Sequence, residues 1–234
     1  HFNRAIQGGA GKAQNLVRSL MGLSVVQSTI SMIRGQFDAA ISRMDTMTNF
    51  SRTMTAITGS SESASGSLES LKSMTKGTAY GLDTAAAAVQ NFTTRGMEIG
   101  SATAEVGKWA DAVAFYGDGT NETLTTVTDA IGKMLTKGTV EMDQLNRLTD
   151  AGINAVGMYA QATGRDAAKV QEHLSKGKIS AQDFVTTVSS AFEEGTNGVL
   201  NISGAAKEAG ATWATTISNM KAAVTLSLIH ISEP

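Results

Sequence analysis

The sequence predicts an all-α protein, with one long amphipathic N-terminal helix followed by a bundle of short helices and helical hairpins that stop at glycine. Three observations carry this expectation. Apolar residues near the start recur at spacings of three and four, and the rest of the chain divides into short periodic segments opened by capping residues and closed by glycine. The single proline among 234 residues is Pro234, so glycine is left to punctuate the helices.

The elements follow in chain order. Leu16, Leu20, Leu23, Ile30, Phe37, Ile41 and Met44 alternate spacings of four and three, interrupted at Gln27 and Arg34, so Gln14 to Ile57 reads as one helix with a heptad-like seam. A helix of that length needs a partner surface, and the seam is the candidate for self-association. Gly59 ends it, and Ser60 to Gly66 reads as a Ser/Gly-rich link. Leu68 to Met74 then stops at Lys76-Gly77, Asp83 caps an Ala-rich helix ending at Arg95-Gly96, and Ser101 caps a helix with Val106, Trp109, Val113 and Phe115 that stops at Gly117. Asp118 to Asn121 is a turn, after which Leu124, Val127, Ile131 and Leu135 mark a helix ending at Lys137-Gly138. A cation in the last turn complements the helix dipole, and the glycine takes the left-handed conformation that ends it.

One such stop occurs twice. Leu135-Thr136-Lys137-Gly138-Thr139-Val140 returns as Leu174-Ser175-Lys176-Gly177-Lys178-Ile179, and each copy leads into a new helix, through Leu145 and Leu148 or through Phe184 and Val188. In both, a leucine precedes the glycine and a β-branched residue follows it, which lets the two meet across the turn. Two copies do not make a solenoid.

These residues resemble the N-terminal domain family of bacteriophage tail tape measure proteins. The first carrier is Lys137 to Ile153, a glycine turn followed by Val140, the Leu145-x-x-Leu148 helix and the end Asp150-Ala151-Gly152-Ile153. The second is Ser175 to Phe184, with Lys176, Gly177, Ile179 and Phe184 in the matching places, and weaker similarity extends the resemblance to Ile41 to Val224. Asn154 stands where the family often has proline, and Trp213-Ala214-Thr215 where it usually has Ser-Gly-Arg. The resemblance implies a structural protein of the virion tail, present in the host cytoplasm during assembly, that sets tail length and meets tail tube and tail assembly chaperone proteins. A fully helical chain of this length reaches only about 350 Å at 1.5 Å per residue. The segment is therefore expected to be a folded module, with the ruler elsewhere in a longer parent.

The domain organisation expected is 1–59 for the long helix, 60–225 for the helical tape-measure-type domain, and 226–234, which resembles a translated sequencing adapter, as a non-native tail.

Composition and spacing count against catalysis. Without cysteine there is no thiol nucleophile or cysteine zinc site, and no two histidines stand at the i, i+4 spacing of a zinc peptidase helix. His173 falls in the last turn of a helix, where it reads as a capping or surface group. A Gly-x-Ser-x-Gly elbow is absent, Gly8 to Ala13 lacks both the first glycine and the hydroxyl of a phosphate loop, and Asp118 to Glu122 lacks calcium-ligand spacing. Glu193 and Glu194 are adjacent on a helix and point apart, while Met44, Met47 and Met54 read as core filler. Hence no catalytic residue, metal or cofactor is expected. A formal charge of −2 gives no field that would gather nucleic acid, and Leu16 to Ile33 is too polar for stable membrane insertion. The alternatives are a coiled-coil bacterial signalling or secreted effector protein and, third, a tail-associated cell-wall hydrolase.

Overall fold

A computed structural model describes residues 45–196 and 198–212. The chain divides into two compact units, His1–Asp45 and Thr46–Pro234. The seam from Leu16 to Met44 and the tail 226–234 lie outside the described residues. Within them the architecture is all-α, as expected, and the only β pairings are the isolated bridges Thr139 to Ser180 and Thr196 to Val199.

Helix α1, helical over 45–58, buries Phe50 and Met54 and packs Met47 half-buried on the core, so both methionines of this helix serve as filler. It ends where Gly59 N–H donates to the Thr55 carbonyl at 2.8 Å. The expected Ser/Gly link is instead mostly helix, because Ser60 is the N-cap of α2 (Ser61–Thr75), its hydroxyl accepting from Ser63 N–H at 3.1 Å. Burial of Ala64, Ser67, Leu68 and Leu71 outweighs the weak helix propensity of those serines.

Two expected caps also shift. Helix α3 (Leu82–Thr93) begins at Gly81 with no side-chain cap, and Asp83 lies in its first turn. In α4 (Ile99–Tyr116) the cap is Glu98, which accepts from Ser101 N–H at 2.9 Å, so Ser101 is the donor and not the cap. The amides of Gly100 and Ser101 hold the Glu98 carboxyl below its ordinary range. Phe115, expected on the periodic face of α4, is half exposed and meets Tyr116 edge-on.

Thr120 caps α5 (Asn121–Lys137), and a turn at Gly138 leads to α6 (Met142–Asp150). The sequence reading places the end of α8 (Ala167–Ser175) at Lys176-Gly177 but neither its start nor the bounds of α7 (Ala155–Thr163), though Asn154 and Asp166 cap these helices through side-chain oxygens. Ser180 caps α9 (Ala181–Glu194), and a last helical stretch, α10, runs over 205–212.

Helix α4 is the axis of the unit, packed by α2, α3, α5 and α9. Its neighbours run in two directions. Ser67 meets Thr103 at 2.6 Å and Met74 lies beside Gly107, so α2 runs parallel to α4; α9 does likewise, with Ser189 on Glu105 and Phe192 edge-on to Trp109 at 5.2 Å. Helix α3 returns antiparallel, with Tyr80 just before it donating to the Ala110 carbonyl at 2.9 Å. Helix α5 lies alongside α3 in the same sense, joined by Asn121 to Gly81 N–H at 2.8 Å and by Asn91 to Asp129 at 2.7 Å. One end of the bundle therefore gathers the C-termini of α3 and α5 and the N-termini of α4 and α9.

Candidate functional site

That end holds the two repeated turns. Lys137 closes α5, and Gly138 at φ 75° ends it by donating to the Met134 carbonyl at 2.8 Å. A side chain at this φ is strained, which is why glycine occupies the turn. Gly177 does the same for α8 at φ 64°, using two bonds, Gly177 N–H to Leu174 O at 3.0 Å and Lys178 N–H to His173 O at 2.9 Å.

The fold brings the two copies together. Thr139 pairs with Ser180 in an antiparallel bridge, and Ala181 N–H donates to the Gly138 carbonyl at 3.1 Å. Val140 and Ile179, the β-branched residues after each glycine, are both buried, as is Leu174, while Leu135 is half-buried against the core. Lys137 pairs with Glu141 across the Gly138 turn and Lys176 with Glu172 across one helical turn, both largely in solvent. A groove of about 400 Å³ lies between the copies, floored by Val140, Met142, Leu174 and Gly177 and edged by Lys137, Glu141 and Asp143. A smaller depression of about 220 Å³, lined by Arg95, Met97, Leu135 and Ser180, flanks Gly138.

The remaining motif residues have mainly packing roles. Leu145 and Leu148 are the buried face of α6, and Asp150 is exposed at its end. Gly152 and Ile153 finish α6 with a paired cap, Gly152 N–H to Thr149 O at 2.9 Å and Ile153 N–H to Leu148 O at 2.8 Å, and Ile153 is fully buried. Gly152 has a second reason to be glycine: a Cβ there would stand 2.2 Å from the Tyr116 carbonyl oxygen, so the turn after α6 lies directly against the end of α4. Phe184 stacks on Tyr159 at 5.2 Å, and the Tyr159 hydroxyl donates to Asp183 at 2.6 Å. Burial, followed by that carboxylate, pushes the phenol up to about 12.

His173 lies in the last turn of α8, Glu193 pairs with Lys108 at 3.0 Å, and among the described residues no three His, Cys, Asp or Glu gather as a metal site. Apolar floors between internally paired ions have the chemistry of a contact surface. Two structural carboxylates escaped the sequence reading. Asp111 accepts from Gly204 N–H and Ala206 N–H at 2.9 Å each, pinning the start of α10 to α4, and nothing local to Asp111 signals a partner so distant in sequence. Glu105 is buried in the core, and its i, i+4 spacing from Trp109 was the one available signal.

A family model described as Tape measure protein matches residues 38–233, from within the heptad-like seam through most of the 226–234 stretch. No curated protein and no solved structure matches the chain.

Proposed function

The chain belongs to the tape measure protein family, and on that premise we propose that it is a non-enzymatic folded module that takes part in phage tail assembly and tail length determination. Membership places it among structural proteins of the phage tail. The observation that carries the finer reading is the extent of the match, which takes in α1 to α10 and both repeated turns. The module works by contact: the seam of Leu16 to Met44 serves self-association, and the helical body meets tail tube and tail assembly chaperone proteins. The 1–59 helix and the 60–225 body are separate working parts in this reading, with 226–234 a non-native addition. The host cytoplasm is the place of assembly and the virion tail the destination. No helix among the described residues is long and apolar enough to cross a membrane.

The test is genetic. Introducing Phe184→Asp into the parent phage gene removes a buried ring at the paired turns, and electron microscopy of induced lysates is expected to show missing or aberrant tails. Normal tails of unchanged length would overturn the assignment. Shortening the helical sequence elsewhere in that gene is expected to shorten tails, and an unchanged length would remove the ruler role. Zymography of the purified chain on peptidoglycan is expected to give no clearing; a clear zone would establish the hydrolase alternative.

A further inference from the structure

We propose that Glu105 is a proton switch built into the core, taking up a proton without displacement of any heavy atom and thereby seating α9 more firmly on α4. The inference does not depend on the role in the tail. Glu105 is 8% exposed at the middle of the axial helix, facing Ser189, which is fully buried on α9. As a carboxylate it accepts from Ser189 Oγ at 2.9 Å through Oε1 and from Trp109 Nε1 at 3.2 Å through Oε2. Charge compensation is incomplete. Lys108 Nζ stands 3.9 Å from Oε1 but only 3.0 Å from Glu193 on α9, so the one nearby cation among the described residues is shared with a second carboxylate. Among the described residues the charged groups acting on Glu105 are these two, with none contributed by α2, α3 or α5. Burial pushes the carboxyl up and Glu193 adds to this, against the pull of Ser189, Lys108 and Trp109.

What makes the site a switch is the hydroxyl between two acceptors. Ser189 Oγ lies 2.9 Å from Glu105 Oε1 and 3.2 Å from the Thr186 carbonyl of its own helix. With Glu105 ionised, Ser189 donates to it. With a proton on Oε1, Glu105 donates to Ser189, whose own hydrogen turns to Thr186, and the Trp109 bond to Oε2 remains. Both protonation states are fully hydrogen-bonded, and the protonated one carries no buried charge. Because the folded value is raised above the unfolded one, the stabilisation is fully present below the unfolded value and is lost as pH rises through the folded value.

Carbon-13 NMR titration of the full chain is expected to place the Glu105 carboxyl midpoint above the ordinary glutamate value of about 4.3. Between the two values, acidification is expected to lower the unfolding equilibrium constant by up to about tenfold per pH unit. E105Q, which mimics the protonated state, is expected to lose that slope. E193Q, at an exposed position, frees Lys108 for Glu105 and is expected to move the midpoint down while leaving the fold intact. A midpoint at or below the ordinary value, a wild-type slope in E105Q, or an unmoved midpoint in E193Q would each overturn the proposal. Should E105Q not fold, the wild-type titration and E193Q decide it.

Discussion

The two copies of the Lys-Gly turn share a sequence device and differ in what holds them. The first follows α5, a helix of 17 residues that buries Leu124, Val127, Ile131 and Met134, and its turn is closed back onto the helix by one backbone bond, from Gly138 N–H. The second follows α8, nine residues with only Val170 and Leu174 buried, and its turn is closed back onto the helix by two, from Gly177 N–H and Lys178 N–H. A helix anchored along its length needs little from its end, whereas a short one relies on its cap. Equal local signals thus carry unequal weight.

Substitutions can break or sharpen that contrast. The largest effect is expected at Gly152, where the constraint is contact as well as conformation. Adding Cβ 2.2 Å from the Tyr116 carbonyl combines overpacking with a left-handed φ of 86°, and Gly152→Ala is expected to cost more than about 3 kcal/mol in urea denaturation. Leu174→Ala should cost about 2–5 kcal/mol and strip amide exchange protection from α8, whereas the equivalent Leu135→Ala, at a half-buried position, should cost less. If the two losses are equal, the contrast between the helices is wrong. Gly138→Ala and Gly177→Ala meet open space or van der Waals contact, so each should cost only the left-handed conformation, about 1–2 kcal/mol, measured by thermal or chemical unfolding. Smallest are Lys137→Ala and Lys176→Ala, which break exposed ion pairs and should each cost less than about 0.5 kcal/mol, declining further with salt.

The sequence made legible whatever is decided within a helical turn or two. The stops at Gly77, Gly96, Gly117, Gly138 and Gly177 stand where the local pattern put them, because a left-handed or terminating residue is a local requirement. Caps were less secure. Ser101 and Asp83 are good capping residues, but Glu98 and Gly81 lie one turn earlier or next door, and tertiary packing chose among them. The Ser60 to Gly66 stretch was misjudged for a related reason, since its composition is that of a loop and its burial that of a helix. Nothing local joins Asp111 to Gly204, Glu105 to Ser189 or Thr139 to Ser180; those pairings come from the order in which α4, α5, α9 and α10 return to one another. At the candidate site, the residue types of both turns were readable in advance, and their meeting was not.

That meeting has a mechanical meaning. The Gly138 to Ala181 bond and the Thr139 to Ser180 bridge clasp the chain at the two ends of a long detour through α6, α7 and α8. Tension applied along the polypeptide passes from α5 to α9 through the clasp, and the segment between is shielded until the clasp opens. Extension of this unit would therefore release that detour as one discrete step.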